Sequence, residues 1–92
     1  MEVDYKVLKE KIELGINKFN RYRSPEAIAK LVNVRSNEIR VKISGPFCIS
    51  CGLYDYFDDL RIELKESIGS NLEIRDVKEE TKDSFLVCFI LK

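Results

Sequence analysis

Three cysteines are the residues of this chain best suited to chemistry. Cys48 and Cys51 stand in the stretch Gly45-Pro-Phe-Cys-Ile-Ser-Cys-Gly52, and Cys88 lies near the end of the sequence. A thiolate at the start of a helix is favoured by the helix dipole, so a CxxC between a strand and a helix is the local setting of a dithiol redox motif. A structural zinc site needs four ligands. Cys48, Cys51 and Cys88 supply three at most, so zinc would require two cysteines from each of two copies. The third reading is structural: two half-buried thiols, free or joined to each other, with Cys88 packed as a small apolar residue. The chain has no histidine. That removes Ser-His and Cys-His nucleophile–base pairs and every His-ligated metal in one step.

The elements around the thiols weigh on the choice. The only prolines are Pro25 and Pro46, and neither stands where the cis-proline of a thioredoxin-type fold faces its thiols. Ahead of the turn, Glu38 to Ser44 alternates strictly, with Ile39, Val41 and Ile43 on one face and Arg40 and Lys42 on the other, as a half-buried strand does. Gly45-Pro46 stops it, because proline lacks the N–H that a ladder needs. Beyond the turn, Leu53, Phe57, Leu60, Leu64 and Ile68 are spaced 4, 3, 4 and 4 apart, which marks one stripe of a helix. The expected helix runs from about Cys51 to Ile68. Asp55, Asp58 and Asp59 suit its positive end, and Gly69 offers the left-handed position that ends helices. Ile62 lies opposite the stripe among acids, either as a lone exposed apolar residue or as a partner contact.

Met1 to about Asn20 reads as a helix with two apolar stripes: Val3, Val7 and Leu14 on one side, Tyr5, Leu8, Ile12, Ile16 and Phe19 on the other. A helix apolar on two sides is usually sandwiched, and a second copy of the chain is the expected source of one partner. Gly15 weakens it slightly. Ser24-Pro25-Glu26 has the residue types of a helix start, so a second helix is expected to carry Ala27, Ile28, Leu31 and Val32 and end near Asn33. Between the two, Lys18-Phe-Asn-Arg-Tyr-Arg23 interleaves cations with aromatics, a pattern that grips single-stranded nucleic acid but more often marks a solvated helix end.

Asn71 to Glu79 supplies another strand, with Leu72 and Ile74 inward. Val77 falls out of phase, so a bulge or twist is expected near Arg75–Asp76. After a charged turn over Glu79 to Asp83, Ser84 to Leu91 is apolar on both faces and belongs in the middle of a sheet. The expected fold is α+β. Two N-terminal helices precede a β-α-β-β core whose three-stranded sheet has the order second–third–first, with the C-terminal strand central. Helices cover one sheet face, and the other needs the N-terminal helix or a partner.

With 92 residues the chain is read as one domain, 1–92, with a helical part at 1–34 and a β-α-β-β core at 38–92. At 45% hydrophobic and 35% charged it is globular in composition, and its charge-rich make-up is compatible with a thermophile. The net charge is zero, but residues 1–42 hold ten Lys/Arg against six Asp/Glu and residues 43–92 hold six against ten. The halves therefore differ in sign, which falls short of the basic footprint of a nucleic-acid binder. No apolar run approaches a membrane span and no signal-peptide core is visible, so the expected location is cytoplasmic.

From about Asn37 onward the chain resembles the C-terminal half of the 4-vinyl reductase-type domains. These are small-molecule-binding modules related in fold to small subunits of the transport-protein-particle vesicle-tethering complex. The matching residues are Pro46, Cys48, Gly52, Gly69, the stretch Leu72-Glu-Ile-Arg-Asp-Val-Lys-Glu-Glu80, Lys82-Asp83 and Cys88-Phe89. Many members carry two further cysteines ahead of the last one as part of a metal cluster. Val77 to Asp83 has none, so no metal and no other cofactor is expected. The resemblance implies a small apolar ligand between the central helix and the sheet, lined by Phe47, Cys48, Cys51, Leu53, Phe57 and Leu60, or a dimeric scaffold subunit. It implies no enzyme activity. The expected function is a non-catalytic homodimeric binding module. The alternatives are a thiol redox protein using Cys48 and Cys51 and, more weakly, nucleic-acid binding through Lys18 to Arg23.

Overall fold

A computed structural model describes residues 5–23, 27–45, 53–81 and 83–92, the side chains of Tyr5, Leu53 and Tyr54 excepted. The elements in chain order are α1 (Tyr5–Arg23), β1 (Ile28–Arg35), β2 (Glu38–Ser44), α2 (Leu53–Ile68), β3 (Leu72–Thr81) and β4 (Ser84–Leu91). The four strands form one sheet in the order β1-β2-β4-β3, each neighbour antiparallel.

The expected three-stranded sheet under two N-terminal helices is therefore corrected. One helix precedes four strands, and the residues expected as a second helix form β1. Ala27, Ile28, Leu31 and Val32 satisfy a helical spacing, yet Ala27, Ala29 and Leu31 alternate equally well. The β-branched Ile28, Val32 and Val34 favour a pleated surface. The hairpin decides between the two. Ser36 takes a φ of 57°, the positive value that a two-residue hairpin turn demands. Arg35 then faces Glu38, and the pairing runs back to Ile28 opposite Ser44.

The rest of the sheet follows the local patterns. β4 lies between β2 and β3, where a strand apolar on both faces belongs. A register shift separates Ile74 from Asp76 and returns Val77 to the inner face. β2 stops at Ser44, and Gly45 follows with a φ of 135°, open only to glycine in practice. α2 ends at Ile68, and Gly69, at φ 83°, donates its N–H to the Lys65 carbonyl at 2.8 Å.

Both helices lie on one sheet face. Leu8, Ile12, Ile16 and Phe19 of α1 and Phe57, Leu60 and Leu64 of α2 join a single core with Ile39, Val41, Ile43, Phe85, Val87 and Phe89. Phe57 and Phe85 meet edge to face, with ring centroids 5.7 Å apart. Of the two expected covers for the second sheet face, the N-terminal helix or a partner, the helix is ruled out: α1 packs beside α2 on the first face. Among the described elements none covers the opposite face, where Leu86, Cys88 and Ile90 stay half-buried. Arg75 reaches from the β3 bulge to Glu38 on β2 at 2.6 Å, spanning β4 between them. Among the described residues no helix is long and apolar enough to cross a membrane.

Candidate functional site

Phe47, Cys48 and Cys51 lie outside the described residues, and so does the side chain of Leu53 at the start of α2. Phe57 and Leu60 have no exposed surface and belong to the core. Cys88, a free thiol, sits half-buried on the open sheet face, opposite Arg40 on one side and Asp76 on the other. Among the described residues no group of three acidic or thiol side chains is placed to hold a metal.

The cation–aromatic stretch at the end of α1 is largely consumed by packing. Phe19 is buried. Arg23 stands over the Tyr56 ring at 5.0 Å from its centroid and pairs with Asp59, which fastens α1 to α2. Tyr22 remains 77% exposed, next to Ile62 at 39%. The two border a shallow depression of about 390 Å³.

The larger opening lies on the other flank of α1. A cleft of about 610 Å³ separates α1 from β1. Lys9, Glu13 and Asn17, each four residues apart, border it from the helix, while Ile16, Leu31 and Val34 supply apolar surface. The cleft exists because β1 is an edge strand. α1 covers the inner side chains of β1 and reaches its backbone only at Ala29 among the described residues, so the outer edge of the strand beyond that point faces the gap.

At one end of the cleft Asn20 closes that edge. Its side-chain amide donates to the Ala29 carbonyl at 3.0 Å, and its Oδ1 accepts the Ala29 N–H at 2.6 Å. An amide that gives and takes one hydrogen bond with the same residue stands in for the backbone of a neighbouring strand. It also fixes a direction: the N–H and C=O of Ala29 point away from β2. Ala29, Leu31 and Val34 oppose Ile43, Val41 and Ile39, alternate residues of β2, and so share one hydrogen-bonding sense. Leu31 and Val34 therefore also turn their backbone groups outward, toward the cleft.

Sequence reasoning missed this site. One signal was present: Asn20 stands four residues after Ile16 and eight after Ile12, a polar residue in line with a buried stripe. Buried or part-buried amides need partners, and such a residue marks a backbone within reach. The partner itself is hidden until β1 is recognised as a strand. No family model matches the chain, and neither a curated protein nor a solved structure matches it.

Proposed function

We propose that the chain is a non-catalytic binding module whose partner enters the cleft between α1 and β1. The observation that carries this reading is the cleft, about 610 Å³ in volume, bordered by a strand edge that Asn20 satisfies at Ala29 and leaves open beyond. Concave sites that combine apolar floor with a few aimed polar groups are the usual form of binding sites. A ligand between α2 and the sheet, by contrast, has to displace Phe57 and Leu60, both fully buried. The test is amide chemical-shift mapping of the full chain against a small-fragment library. Shifts are expected to centre on Lys9 to Asn20 and Ala29 to Val34. A map centred on Phe57, Leu60 and the inner sheet would replace the cleft with the ligand pocket expected from the sequence.

A second observation favours a homodimer. Val7 and Leu14, seven residues apart on α1, are 44% and 58% exposed, on the side of the helix away from Leu8, Ile12 and Ile16.

A further inference from the structure

The open backbone of β1 narrows the class of partner. We propose that the cleft takes an extended segment of another protein, which adds to the sheet as a fifth strand beside β1. This rests on the reading of the cleft as the binding site and adds what binds there and by which atoms.

Strand addition needs an edge whose N–H and C=O groups are aligned and unpaired. Ala29, Leu31 and Val34 are aligned by their pairing with alternate residues of β2. Asn20 has taken the first of these. Among the described residues nothing bonds the outward groups of Leu31 and Val34. An incoming backbone would continue beyond Ala29 the amide pairing that Asn20 begins.

The other edge of the sheet is built against such use. β3 carries two register shifts, between Ile74 and Asp76 and between Glu79 and Thr81, and six of its ten residues, Leu72-Glu-Ile-Arg-Asp-Val-Lys-Glu-Glu-Thr81, are charged. Bulges and charges are the usual protection of an edge. β1 has one shift, between Leu31 and Asn33, and only Lys30 and Arg35 are charged.

The side chains set the pattern of the segment. Residues of an added strand alternate between the α1 side and the open sheet face. On the α1 side they would cover the half-buried Leu31 and Val34, which suits apolar residues. On the open face they would stand beside Lys30, which is opposite Lys42, a like-charge cross-strand pair of the kind that destabilises a sheet. Acidic residues are favoured there. The occupant is thus an extended segment alternating apolar with acidic residues.

The test uses the full chain and a capped heptapeptide alternating Val and Glu, with two derivatives of the same sequence. One is N-methylated on the Val set, the other on the Glu set. Only one of these sets donates to β1, whichever way the peptide runs. The parent is expected to shift the amides of Ala29 to Val34. One derivative is expected to bind at least about tenfold more weakly, as loss of the donors at a strand edge demands, and the other is expected to bind like the parent. Equal binding of all three would overturn strand addition while leaving the cleft as a side-chain binding site. Shifts on β3 or α2 would overturn both. Failure of the parent to bind at millimolar concentration would overturn strand addition, and the fragment map would then judge the cleft by itself. If the peptide instead dissociates a dimer seen by sedimentation, the occupant is a second copy of this chain and the assignment to another protein falls.

Discussion

A Cβ placed on Gly15 would stand 3.0 Å from the Glu63 carbonyl oxygen, 3.0 Å from Ser67 Oγ and 3.1 Å from Leu64 Cδ2. As sequence, Gly15 reads as a weak point of the helix; in the fold it lies in tight contact with α2. Replacing it with alanine gains up to about 1 kcal/mol of helix propensity. Against that, a methyl group pushed into a helix backbone costs about 1–3 kcal/mol. Overpacking wins, because one of the two nearest atoms is a main-chain oxygen that cannot swing aside. Gly15→Ala is expected to lower stability by about 1 kcal/mol in urea denaturation, and an increase would show that the helices part without cost. Asn20 has the same character. Both residues interrupt an apolar pattern, and what each interruption is for appears only with the element it touches.

Among the elements, α2 and β2 were legible because each signal is local. Strict alternation over Glu38 to Ser44 and a clean stripe from Phe57 to Ile68 need no distant partner to be read, and Val77 betrays the β3 bulge by falling out of phase. β1 was not legible. Its residues fit both periods, residues 24–26 have the types of a helix start, and the deciding contacts come from β2 through the turn at Ser36. The cleft was lost with it, since its edge is β1. Phase on α2 yields a direct test. Leu60 is fully buried and Ile62 is 39% exposed, two residues apart on one helix. Leu60→Ala is expected to destabilise by about 2–5 kcal/mol, as buried large-to-small changes do. Ile62→Ala is expected to change stability by no more than about 0.5 kcal/mol, as at surface positions. Comparable losses at the two sites, read from denaturant midpoints, would mean that a partner buries the outer face of α2.

At the scale of the whole molecule, one helix layer lies on one sheet face, and we propose the outer side of α1, where Val7 and Leu14 are exposed, as the seat of a second copy. Val7 and Leu14 alone make a thin contact. Burying the exposed remainder of each is worth about 1 kcal/mol, so four such residues in a dimer yield about 4 kcal/mol, which the lost freedom of association, about 4 kcal/mol or more, cancels. Net attraction then has to come from charge. Glu10 and Lys18 flank Leu14 at four residues on either side. An antiparallel pair of α1 helices centred on Leu14 would set Glu10 against Lys18 of the partner subunit, twice per dimer. Sedimentation of the full chain is therefore expected to show only slight association, at millimolar levels, weakened by salt as exposed ion pairs are. Leu14→Glu should abolish association and Glu10→Lys should weaken it. Both should leave the far-ultraviolet circular dichroism unchanged, because Leu14 is 58% exposed and contributes little to the core. A chain that stays monomeric throughout the millimolar range would rule out this dimer, and the outer stripe of α1 would then be ordinary exposed surface.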